Sequence, residues 1–298
     1  MLGYGAWAHW AWGDIPVATL EQRYGGSSLQ QVEIDGLPIR YRLQGPADAP
    51  VLVLIHNHFL DMGMWDAWVK ELDSDFRLLR YDLAGHGLTG PDPSGIYTVD
   101  RDVALLAGLL DDLDLERVHL AGSSLGGNIA FHFAAAHPDR VERLVLINSG
   151  GLKRPGSNSE REMPAWADGV FPLVPPVAFH RFLEWMAADK AAITDALRER
   201  FVAMFRRAGN RRAELARLRQ FDSGEPAPVL ARVRAPTLIL WGADNPQLPA
   251  HLAEEFVARL SGTHATPRIF PGAGHLLPLE QPARSAATVR QFLQEAGG

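Results

Sequence analysis

The chain contains no cysteine. That excludes disulfides, a cysteine nucleophile and thiolate metal sites, and it fits a reducing compartment, so a cytoplasmic location is expected. Positive charge is not in excess either: 29 Lys and Arg stand against 35 Asp and Glu, a formal net charge of -6. Nucleic-acid binders are more often basic, so no nucleic-acid partner is expected. No apolar run approaches the roughly 18 residues that cross a bilayer, so no integral membrane segment is expected. The opening residues 1–12 lack a basic region followed by a long apolar core and are not read as a signal peptide. Trp7, Trp10 and Trp12 there read as an arm packed on the body of the protein, with contact to a membrane surface or a partner as the alternative. Internal repeats are lacking as well.

What is present is an ordinary globular composition, 298 residues with 47% hydrophobic and 21% charged. That suffices for one large α/β domain or one domain carrying an insertion. Val51–Ile55 is a continuous apolar run, the pattern of a strand buried on both faces of a parallel sheet. Phe76–Tyr81, Val118–Ala121, Leu144–Asn148 and Thr237–Trp241 are similar, and Arg268–Phe270 is a weaker example. Val32–Ile34 and Ile39–Leu43 flank Asp35-Gly36, a hairpin signal that predicts an antiparallel start to the sheet. Helical patterns lie between the strands at Asp100–Leu113, Asn128–Ala136 and Ala283–Glu295. The alternation predicts a doubly wound, mostly parallel sheet of about eight strands. It lapses between Gly151 and Arg234, where a loop-like stretch, Pro- and aromatic-rich sequence and Arg-rich helical sequence follow one another. The expected organisation is a core of residues 1–151 and 234–298, with 152–233 inserted as a helical cap.

The strongest chemical signal is Gly122-Ser123-Ser124-Leu125-Gly126, which fits G-x-S-x-G. It follows an apolar strand and opens a helix, the context of a nucleophile elbow, where small residues allow a tight turn. The helix N-terminus also offers free N–H groups to a developing oxyanion. The glycine spacing is not G-x-G-x-x-G, and the turn lies far from the first strand, so a dinucleotide site is set aside. Ser124 needs a base, and His275 in Pro271-Gly-Ala-Gly-His275 follows the last expected strand; His86, His119, His132, His137 and His251 compete from less apt places. The orienting acid is expected in Trp241-Gly-Ala-Asp244-Asn-Pro246, which keeps the chain order Ser, Asp, His. Oxyanion donors are expected to be the backbone N–H of Leu125 and that of His58, in the loop after Val51–Ile55. The His58 side chain either points into the pocket or merely lines the loop. There is no metal-ligand cluster in the spacing.

Together these residues resemble the α/β-hydrolase superfamily over nearly the whole chain. The resemblance rests on the strand ending at His56, Arg80-Tyr-Asp-Leu-Ala-Gly-His-Gly87, the elbow Gly122–Gly127, Ala136-His-Pro-Asp-Arg-Val-Glu-Arg-Leu-Val-Leu-Ile147, Leu240-Trp-Gly242 and Gly272-Ala-Gly-His275. Within it the chain looks most like the branch of meta-cleavage-product hydrolases, enol-lactonases and small-ester esterases. That implies a Ser–His–Asp triad, no cofactor and a helical cap. A serine at 124 argues against the dehalogenases and epoxide hydrolases of the fold, which carry aspartate there. Two departures stand out. Relatives commonly read His-Gly where this chain has His56-Asn57, and asparagine is the side chain best able to adopt the positive φ of that turn. Relatives also read W-G-x-x-D, a register that puts Asn245 at the acid position and Asp244 one residue early. Either Asp244 serves through a shifted loop, or Asn245 holds the histidine as a neutral amide, or the acid has been removed. The need for a carboxylate favours Asp244.

The expected function is a serine hydrolase acting by acyl-enzyme chemistry on a small, largely apolar ester or lactone. The alternatives are carbon–carbon bond hydrolysis of a dienoate ring-cleavage product and a non-catalytic ligand-binding protein on a hydrolase scaffold. Aromatic and Met residues of the cap, from Trp166 and Phe171 to Met204 and Phe205, predict an apolar pocket. Arg198, Arg200, Arg206, Arg207, Arg211, Arg212, Arg217 and Arg219 read as a solvated helix face, with one or two receiving a substrate carboxylate as the alternative. The expected partner is a small-molecule substrate, and a homodimer is left open.

Overall fold

The computed structural model describes residues 12–152, 164, 166–222 and 224–295. Trp7, Trp10 and the loop-like residues 153–159 fall outside them. Eight strands form one sheet in the order β1-β2-β4-β3-β5-β6-β7-β8. They are β1 (Gln30–Ile34), β2 (Leu37–Gln44), β3 (Val51–Ile55), β4 (Arg77–Tyr81), β5 (Val118–Ser123), β6 (Val141–Ile147), β7 (Thr237–Gly242) and β8 (Ala265–Phe270). The β1–β2 and β2–β4 pairs are antiparallel and the rest parallel. Every residue of β5 is buried, His119 and Ser123 included, as befits a central strand covered on both faces.

The first helices are α1 (Val17–Tyr24), α2 (Asp66–Leu72), α3 (Val99–Asp112) and α4 (Leu125–Ala136). Thr98 caps α3 by accepting the Arg101 N–H, and Asp100 and Asp102 sit against the positive end of its dipole. The helix α4 stops before Pro138, whose ring disfavours continuation. Between β6 and β7 the described elements are helical: α5 (Ala167–Val170), α6 (Pro176–Met186), α7 (Asp195–Phe205), α8 (Asn210–Gln220) and α9 (Pro226–Leu230). The chain closes with α10 (Leu252–Arg259), α11 (Leu277–Glu280) and α12 (Pro282–Gln294).

The sheet separates two apolar layers. One holds Leu106, Ile129, Phe131 and Phe256. The other holds Trp65, Trp68, Leu238 and Leu293, with the Trp68 Nε1–H donating to Ser285 Oγ at 2.9 Å and so joining α2 to α12. Each fully buried side chain of this size contributes about 1.5–3 kcal/mol relative to exposure.

The arginine-rich helices are not a solvated face throughout. Arg217 is only 2% exposed and grips Asp102 with both terminal nitrogens, at 2.6 and 3.1 Å. Arg200 reaches the buried Asp61 at 2.5 and 2.8 Å. Both tie the helices between β6 and β7 to the rest of the chain. Arg219 follows the expectation, pairing with Asp168 at the surface.

Candidate active site

The site lies at the carboxyl ends of the parallel strands, where open α/β sheets bind ligands. Ser124 is the turn residue between β5 and α4, with φ 56° and ψ −114°. For a non-glycine residue this is a strained conformation. It is held by Ser124 N–H donating to Ile147 O at 3.0 Å and by Ser124 O accepting from Gly150 N at 2.9 Å. The neighbours must be small: a Cβ at Gly122 would strike Gly126 O, and one at Gly126 would strike Ile55 O. Leu125 opens α4, so its N–H has no intrahelical acceptor.

Ser124, Leu125, His58 and His275 line one pocket of about 480 Å³, within the usual range for small-molecule sites. Phe59, Phe182, Trp185 and Phe221 give it an aromatic wall. The expected apolar set thus divides. Phe182, Trp185 and Met186 face the pocket; Phe179 packs against Phe201 and Phe205; Trp166 is 68% exposed.

His275 follows β8 and is buried. Its N–H donates to Met186 O at 2.8 Å, and its carbonyl accepts from Asn148 Nδ2 at 3.0 Å. Asn148 also bonds Gly274 O and receives the Gly242 N–H, clamping the loops after β7 and β8 together. Glu280 braces the same loop from α11, accepting from Gly274, Leu276, Ala188 and Asp189 N–H groups.

Asn245, not Asp244, faces the imidazole. Its Nδ2 lies 3.1 Å from His275 Nδ1. Asp244 is exposed, and its carboxylate accepts the Gly272 N–H at 2.9 Å instead. The preference for Asp244 is corrected on this point: Asp244 is turned to the loop backbone and Asn245 to the ring. The amide orientation has a cause. Asn245 Oδ1 accepts from Gln247 N and Leu248 N, both at 3.0 Å, so only the NH₂ end is left for the histidine. An amide donor makes His275 Nδ1 the acceptor, and a neutral ring then carries its proton on Nε2.

The turn after β3 is also solved differently from expectation. The positive φ falls on Phe59, at 66°, and not on Asn57; Leu60 N donates to Asn57 O at 3.2 Å to close it. Nearby histidines divide by environment. His56 is fully buried, accepting the Leu83 N–H on Nε2 at 3.0 Å, and burial pulls its pKa down to about 4. His86 is likewise pushed well below its ordinary value by burial, then by Arg217. His251 is an exposed partner of Glu255. The fold gathers His58, His86 and Glu214 within 4.8 Å of one another. These residues are 28 and 128 positions apart in pairs along the chain, so no local spacing announces them. Asn148, Glu214 and Glu280 were missed for the same reason.

The chain belongs to the α/β-hydrolase family, whose pattern it matches over residues 52–288. It is 30% identical over 260 residues to the 2-hydroxy-6-oxo-2,4-heptadienoate hydrolase of Pseudomonas putida, covering 81% of this chain and 88% of that one. It is 28% identical over 254 residues to the carboxylesterase YbfK of Bacillus subtilis, covering 84% and 82%. Among solved structures, a thermophilic esterase from Thermogutta terrifontis superposes with a TM-score of 0.77 at 26% identity, covering 89% of this chain and 98% of that one.

Proposed function

We propose that the protein is a serine hydrolase of small, uncharged, largely apolar esters or lactones. Ser124 Oγ attacks the carbonyl carbon and forms an acyl-enzyme, His275 in its Nδ1–H tautomer, reached at the expense of the Asn245 amide contact, relays the proton to the leaving oxygen, and water releases the acid. The N–H groups of Leu125 and His58 hold the oxyanion. The observation that carries this reading is Ser124 itself: a strained φ at the end of a central strand, opening onto an aromatic pocket.

An uncharged substrate is favoured over a dienoate acid by the state of Arg217, the arginine among the described residues lining the pocket. Its terminal nitrogens are engaged by Asp102, Ala84 O and Tyr97 O, which leaves it poorly placed to receive a carboxylate. Turnover of a short-chain aryl ester beside a ring-cleavage dienoate separates the two reactions.

Asn245 supports a second reading, a ligand-binding protein on a hydrolase scaffold. An amide that donates to Nδ1 selects the imidazole tautomer that is unable to accept the serine proton. Intact-mass spectrometry after fluorophosphonate treatment, beside Ser124→Ala, decides between them. One adduct on the native chain and none on the variant supports the hydrolase. No adduct on either supports the binding protein.

A further inference from the structure

His58 comes from the loop after β3, His86 from the loop after β4, and Glu214 from α8 of the insertion. His58 Nε2 lies 2.8 Å from Glu214 Oε1, and His86 Nε2 lies 3.8 Å from Glu214 Oε2. Despite this closeness, His58 Nε2, His86 Nε2 and Glu214 Oε1 are buried atoms that make no hydrogen bond of good geometry, His58 and Glu214 meeting only as an ion pair. Buried groups of this kind call for a cause, and a bound ion is one. A void of about 10 Å³ lined by His86 and Glu214 lies alongside, close to the space of one water-sized particle.

The chemistry of the donor set narrows the ion. Two imidazole nitrogens with one carboxylate oxygen suit zinc and its neighbours rather than calcium or magnesium. Bonds of about 2.0–2.2 Å in a tetrahedron place donor atoms roughly 3.3–3.6 Å apart, and the separations of 2.8 and 3.8 Å bracket that span. His86 is also held in the right tautomer. Its Nδ1 lies 3.1 Å from Ala84 O, so Nδ1 carries the proton and Nε2 presents its lone pair, the arrangement that a backbone carbonyl gives to metal-ligating histidines. Arg217, a buried cation beside the cluster, is neutralised by its two-point contact with Asp102.

We propose that His58, His86 and Glu214 form a three-residue site for a divalent transition metal of the zinc type, bridging the insertion to the loops after β3 and β4. Solvent completes the coordination. The site is independent of the hydrolase reading, and its test requires no turnover.

The full chain, stripped with chelator, is titrated with zinc chloride by calorimetry and with cobalt chloride by visible absorption. The expected result is one equivalent of zinc bound, with cobalt giving the intense bands of a tetrahedral site. His86→Asn and Glu214→Gln each weaken zinc by at least about tenfold, while His251→Asn binds as the native chain does. Zinc also raises the melting temperature of the native chain and not of His86→Asn. Should Glu214→Gln fail to fold, His58→Asn replaces it with the same expectation. The proposal is overturned by the absence of saturable zinc binding to the native chain, or by unchanged affinity in His86→Asn and in Glu214→Gln or its replacement.

Discussion

Two histidines face the same pocket from opposite loops, and their partners are chemically opposite. His275 meets the amide of Asn245, whereas His58 lies against the buried carboxylate of Glu214. The sequence suggests the reverse, because His275 stands in the family position for the catalytic base and Asp244 stands close by. The difference teaches that a histidine's role is set by the atom opposite its second nitrogen. Chain order brings a ring to the right place but does not choose its tautomer.

The comparison is sharpened most by Asn245→Asp. A carboxylate there keeps the Gln247 and Leu248 N–H bonds and accepts from Nδ1, freeing Nε2 as base. The expected gain in ester turnover is on the order of 10²–10⁴-fold, the upper figure taken from the reverse change in a serine protease. Asp244→Ala, in the same assay, is expected to change turnover by less than about threefold, because its carboxylate serves Gly272 rather than the ring. A large loss in Asp244→Ala with no gain in Asn245→Asp would break the contrast. Initial rates on one aryl ester suffice.

Glu280→Gln tests the support of the His275 loop. Four backbone N–H groups point at one carboxylate, and an amide has only one oxygen to offer. At least one donor is then left unpaired, so a loss of about 1–3 kcal/mol in denaturant-unfolding stability is expected. Labelling of Ser124 by the fluorophosphonate should slow as well.

The His58 side is probed through His56, two residues away. Burial holds the His56 pKa near 4 against an ordinary 6.5. The unfolded chain therefore binds a proton between those values while the folded one does not. The stability of the neutral ring is complete above pH 6.5 and is lost as pH falls toward 4, by up to about 3 kcal/mol. Asp82 acts in the opposite sense: burial, then Asp61, raise it to about 7, so its contribution falls as pH rises from 3.8 to 7. Comparison with His56→Gln cancels Asp82. The stability difference between the two proteins should narrow from pH 6.5 to 4, as followed by thermal melts; a pH-independent difference would count against a neutral buried ring.

The sheet was legible because its signals are local. Val51–Ile55 and Leu238–Trp241 are continuous apolar runs, the usual pattern of a strand buried on both faces. The elbow was legible for the same reason, since Gly122 and Gly126 are demanded by backbone atoms a few ångströms off. Asn245 and Asp244 were not separable, because one residue of register in a loop reverses which side chain faces the ring. Arg217 and Glu214 were obscure for another reason. Both lie in helices dense with charge, where pattern alone suggests a wet surface, and only tertiary contact with Asp102 and His58 shows them buried.

The buried Arg200–Asp61 and Arg217–Asp102 pairs bear on how this scaffold can be rebuilt. A grafted insertion from a relative, brought in to change substrate range, would leave Asp61 and Asp102 as uncompensated charges inside the protein, at a cost of about 3–5 kcal/mol apiece. The core thus acts as a lock cut for its own insertion, and any transplant must carry the two arginines or exchange both aspartates in the same step.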